Sequence, residues 1–102
     1  MQISSKEVTQ QTSQKIKLIE GSFTVAEAAD IVNSVLNIKI NFHKLQRLSK
    51  TEHNIADTCE YDNDRIYELI ADKTKAKAFF KDLRNENKTL RIQSTIQIDV
   101  EA

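Results

Sequence analysis

Residues 89–100 read TLRIQSTIQIDV, and the alternation in that stretch decides the fold class. Leu90, Ile92, Ile96, Ile98 and Val100 share one face with Ser94, while Thr89, Arg91, Gln93, Thr95, Gln97 and Asp99 share the other. Successive side chains of a strand point to opposite faces, so this pattern predicts a long strand with one face buried and the other wet. That is the signature of an antiparallel sheet backed by helices on one side.

Working back toward the N-terminus, Ile16 and Leu18 alternate with Lys15, Lys17 and Ile19, which predicts a second strand of about six residues ending at Gly21. Between the two strands the period changes. Thr24-Val25-Ala26-Glu27 has the form of a capping box, in which the threonine hydroxyl and the glutamate carboxylate each take a backbone N–H of the first helical turn. Val25, Ala28, Ala29, Val32, Val35 and Leu36 then recur at helical spacing, and Asn37 is read as the end of this helix. Residues 38–50 carry two patterns: Ile38, Ile40 and Phe42 alternate, whereas Phe42, Leu45 and Leu48 recur every three residues. The helix-forming run Lys44-Leu45-Gln46-Arg47-Leu48 favours a second helix from about Ile40 to Ser49. Residues 50–63 lack periodicity and read as a loop. A third helix is expected from about Asp64 to Asn87, capped by Asp62 or Asn63, with Ile66, Leu69, Ile70, Ala76, Phe80 and Leu83 as its stripe. Its length, roughly 36 Å, implies either a break near Thr74 or a partner for part of its apolar surface.

Residues 1–14 are polar, with only Ile3 and Val8 able to pack, and are expected to form a flexible tail; residues 15–102 are expected to form one α+β domain. The predicted architecture is a small antiparallel sheet of the N- and C-terminal strands, packed on one face by about three helices. The first strand is shorter than the second. The unpaired remainder would need a cover, from a third strand near Val8 or from a second copy paired edge to edge across a two-fold axis.

Composition narrows the function. With one Gly and no Pro in 102 residues, glycine-dependent phosphate loops and dinucleotide fingerprints are excluded. No apolar run approaches the roughly 20 residues of a membrane span, and the first twenty residues lack a secretory apolar core, so a cytoplasmic location is expected without membrane contact. The single cysteine, Cys59, fits a reducing compartment. The 15 basic and 15 acidic residues balance, which disfavours indiscriminate binding to polyanions.

The charges nevertheless segregate. Residues 31–51 hold Lys39, Lys44, Arg47 and Lys50 with no acid, residues 57–72 hold six acids against Arg65, and residues 73–91 are basic again. Acids early and bases late on one helix complement its dipole. The block at 39–50 lacks that explanation. Lys39, His43, Lys44, Arg47 and Lys50 can form a stripe for phosphate or partner contacts beside Phe42, or can pair with the acidic segment of this chain or of a second copy; pairing is preferred. Lys73 falls inside the apolar stripe of the last helix. Its stem is expected to pack while its ammonium reaches the rim, with a buried, pKa-shifted lysine as the sharper alternative.

The other titratable groups carry little chemistry. His43, His53 and Cys59 lie ten and six residues apart, unlike the compact ligand pairs of zinc sites. Cys59 has no oxyanion-hole glycine nearby, and Asp57 and Glu60 would raise its thiol pKa, so it reads as an ordinary loop cysteine. No catalytic residue, metal or cofactor is assigned.

Ile19-Glu20-Gly21-x-Phe23-Thr24-x-x-Glu27-Ala28, followed by Lys39-Ile40-Asn41-Phe42-His43 and Ile92-x-Ser94-Thr95-Ile96-x-Ile98, resembles small bacterial proteins of uncharacterised function. The resemblance spans about residues 16–98 and implies a compact bacterial domain, with no activity, ligand or catalytic residue attached. The expected function is that of a non-enzymatic, self-associating interaction protein, a homodimer with a possible protein partner. The alternative is a nucleic-acid-associated regulator using segment 39–50; the third is a small enzyme or metal-binding protein.

Overall fold

The computed structural model of the chain describes residues 12–101. Strand β1 (Ser13–Thr24) is followed by helix α1 (Val25–His53), helix α2 (Glu60–Leu83) and strand β2 (Thr89–Asp99). The two strands form a two-stranded antiparallel sheet. The architecture is α+β with two helices, not three, because the chain from Val25 to His53 is one continuous helix of 29 residues. The alternation of Ile38, Ile40 and Phe42 gives way to helical propensity once the capped helix has been nucleated and each further residue adds a hydrogen bond. Asn37 is likewise interior to α1; it does not end it.

The chain divides into two compact units, one of residues 12–22 with 91–101 and one of residues 23–90. In the first, β1 and β2 are 12 and 11 residues long, so neither leaves a long unpaired remainder. The β1 strand begins at Ser13 and runs through Gly21, which has no positive φ and therefore no reason to break an extended segment. Ser13 and Gln14 thus belong to the sheet; the expected tail over 1–11, and a third strand near Val8, lie outside the described residues. Val100 N–H donates to Thr12 O at 2.8 Å, and Arg91 pairs with Glu20 at 3.4 Å. Burial alternates only at Ile19, Gly21 and Phe23 and at Leu90, Ile92 and Ser94; Ile16, Leu18, Ile96, Ile98 and Val100 are exposed. The fully buried sheet face expected from β2 is absent among the described residues, since a two-stranded ribbon supplies no second layer of its own.

The second unit is a helical hairpin. Thr24 caps α1 directly at the end of β1: its hydroxyl accepts from Glu27 N–H at 3.1 Å, and Glu27 Oε1 accepts from Thr24 N–H at 2.9 Å. The inner faces of α1 and α2 meet around Ile40, Ile66 and Leu69, with Leu36 alongside. The α2 helix starts four residues earlier than expected, at Glu60, and stays continuous through Thr74. Its N-cap is Cys59 in the left-handed region (φ 53°), without a side-chain capping bond. A short segment, 54–59, joins the helices.

Candidate functional site

Past Ile40, the inner face of α1 turns polar. His43, Arg47 and Lys50 follow at i, i+4 and i+7, one side of a helix. The first turn of α2 meets them with Asp62 and Asn63. His43 and Asp62 are each only 1% exposed. Asp62 Oδ1 lies 2.9 Å from His43 Nδ1, and Asp62 Oδ2 accepts from Lys50 Nζ at 2.6 Å. Beside them, Arg47 Nη1 donates to Asn63 Oδ1 at 2.9 Å, and the Cys59 thiol points at Arg47 O, 3.7 Å away. The rings of Phe42 and Tyr61 stand edge-on to the imidazole at 5.2 and 5.8 Å, and Lys50 Nζ lies 6.0 Å from the Tyr61 centroid.

The electrostatics follow from this packing. Bonds from Lys50 and His43 hold the Asp62 carboxyl below the usual carboxylate range and outweigh the cost of burial. The same bond to Asp62 raises the Lys50 ammonium above its ordinary value. An ionised carboxylate only accepts, so Nδ1 of His43 carries the donated proton. Its Nε2 is buried without a hydrogen-bond partner among the described residues. Burial, followed by Asp57, pushes the Cys59 thiol up, which keeps it protonated at neutral pH. The bonds from His43, Arg47 and Lys50 to Asp62 and Asn63 tie the first turn of α2 to α1 at the end of the hairpin where 54–59 joins the helices.

The five basic-stripe residues therefore separate. His43 and Lys50 are held by Asp62 and Arg47 by Asn63; Lys39 sits over the Phe42 ring at 4.8 Å, and Lys44 is exposed. Asp62, read from sequence as a helix cap, is the residue that organises the site. Its signal lies in α1, where three polar residues continue an apolar face and require an anion opposite. Cys59 lies in the joining segment, as expected, but is buried there as the residue that precedes α2. Among the described residues, no group of three His, Cys, Asp or Glu side chains is placed to hold a metal ion.

A second feature occupies the other end of the hairpin. Val25, Ala29, Val32 and Leu36 of α1 and Ala76 and Phe80 of α2 line a groove of about 590 Å³, edged by Lys73, Lys77 and Lys81 on α2, by Arg84 just past its end and by Asp30 on α1. Lys73 is half-buried, with its ammonium 2.7 Å from Asn37 Oδ1, so its stem packs and its head finds a neutral acceptor.

Comparisons with family models, with curated proteins and with solved structures return no match. Among the described residues, no helix is long and apolar enough to cross a membrane.

Proposed function

We propose that this chain is a non-enzymatic interaction protein that associates with a second copy of itself and presents charged helical surfaces to a protein partner. One observation carries the reading. The described residues bury five hydrophobic side chains, three of them in a single cluster, and leave fifteen large ones exposed. So small a core is marginal for a domain of this size, and small scaffolds commonly make up the deficit by oligomerising. The exposure is also organised. On α1, Val35, Ile38, Phe42 and Leu45 recur at i, i+3, i+7 and i+10 as an outer stripe, and Ile38 is 70% exposed. The protonated, unpaired Cys59 suits the reducing interior of a bacterial cell, and the cytoplasm is the proposed location.

The test is the mass in solution. Sedimentation equilibrium from low to high micromolar concentration should show a monomer–dimer equilibrium; a folded chain that stays monomeric throughout overturns the reading. A nucleic-acid role for segment 39–50 has less support, because three of its five groups are engaged within the chain. It predicts binding to mixed DNA or RNA that weakens steeply with salt.

A further inference from the structure

We infer that the second copy docks on the outward face of α2, antiparallel to its own α2 across a two-fold axis between Asp72 and Lys73. This rests on the self-association just proposed and names the surface that performs it.

The net charges of the two halves of α2 are self-complementary. Its first half carries exposed Glu60, Asp64 and Glu68; its second half carries exposed Lys75, Lys77 and Lys81 alongside Asp72 and Asp82, and exposed Arg84 follows as the C-cap. The rows Glu60, Asp64, Glu68 and Lys77, Lys81, Arg84 repeat at three or four residues and each spans about 10–12 Å at 1.5 Å per residue. Reversing a second α2 about that axis sets Asp64 opposite Lys81 and Glu68 opposite Lys77, places Glu60 one residue out of register with Arg84, and repeats these pairs by symmetry. Between the rows lies a seam of Tyr67, Ile70, Ala71, Thr74 and Ala78, all exposed. At 100° per residue, Tyr67, Ala71, Thr74 and Ala78 fall within about 60° of one another. The register places Tyr67, 71% exposed, against Ala78 of the second copy, a large side chain facing a small one. Thr74 brings no unmet polar group, because its hydroxyl already donates to Ile70 O at 3.1 Å.

The two rows lie on opposite flanks of the seam, so the helices must cross obliquely for each acidic row to overlie the basic row of the other copy. Such crossings are ordinary for helices packed ridge into groove. Glu68 already bonds Arg65 at 3.1 Å within its own helix, an exposed contact that can be exchanged. The outer stripe of α1 fits a second copy less well. Residues 31–51 contain four cations and no acid, so a two-fold pairing there would bring Lys39 and Lys44 toward their own copies.

Reciprocal charge reversal tests the inference. Lys77→Glu with Lys81→Glu, and separately Asp64→Lys with Glu68→Lys, should each give a monomer by light scattering with unchanged helical circular dichroism. An equimolar mixture of the two variants should return to the dimer mass, because each reversed row then meets its opposite. If both variants remain dimeric while Ile38→Glu with Leu45→Glu becomes monomeric, self-association stands and the α2 face is overturned. A wild-type chain that is monomeric at every concentration removes both. A monomeric chain whose Phe80 and Lys81 NMR signals shift with decanoate assigns the adjoining groove to an amphiphilic anion instead. If charge reversal disturbs folding, Asp64→Asn and Lys81→Gln are the milder pair, and each should raise the dimer dissociation constant several-fold. No change in that constant overturns the inference.

Discussion

Asp62 is buried on both oxygens, and its charge is tied to folding. Its folded carboxyl titrates below the ordinary carboxylate range, so as pH falls the unfolded chain takes up the proton first. Stability from this group is therefore complete above about pH 4 and is lost below it. Cys59 and Lys50 act at the other end. Both titrate above their ordinary values, so their contributions are complete below the unfolded values and decline as pH rises through about 8.5 for the thiol and 10.4 for the ammonium. Thermal melts across pH should show this plateau. Asp62→Asn should lower Tm at neutral pH and flatten the acid limb, whereas Glu86→Gln, which breaks only the exposed pair with Lys88, should change neither. Asn87, at φ 55°, supplies a backbone test. Asn87→Gly should be neutral or slightly stabilising, and Asn87→Val should cost about 1–2 kcal/mol in chemical denaturation, because a β-branched residue resists the left-handed region. His43, Arg47 and Lys50 were legible in the sequence as a basic group. Asp62 was not, because an acid at the third position of a helix looks like a complement to the dipole until the facing helix is in place.

Among the elements, α1 depends most visibly on local chemistry. Thr24→Ala should destabilise by about 1 kcal/mol and Glu27→Ala by less, measured by urea unfolding with an unchanged slope. The capping box and β2 could be read directly, since each rests on residues within one turn or on strict alternation. The β1 strand was legible over only about half its length, because Ser13, Gln14 and Ser22 carry no alternation signal and Gly21 looks like a stop. The joining of two expected helices into one could not be read. Whether the chain stops at Asn37 depends on Leu36 and Ile40 both finding α2, which is tertiary information. The early start of α2 escaped for a related reason: its cap is a left-handed cysteine, which no preference for capping side chains would select.

For the whole molecule, association should couple to stability. If the folded protomer is completed by a second copy, Tm rises with protein concentration, and a concentration-independent Tm argues for a self-sufficient monomer. The order of elements has a separate consequence for folding. The chain is nested: the helical hairpin lies between β1 and β2, and the ribbon joins positions as distant as Thr12 and Val100. Ribbon pairing in an unfolded chain must close a very long loop, whereas the hairpin closes through 54–59. The hairpin is thus expected to form first and bring the strands together, which makes the strands late in folding and early in unfolding. Because the turn at 54–59 is the sole covalent link between two strand-plus-helix halves, cutting it yields two fragments, each with one strand and one helix. Their reassembly would report, without any enzyme attached, whether the bonds around Asp62 are intact.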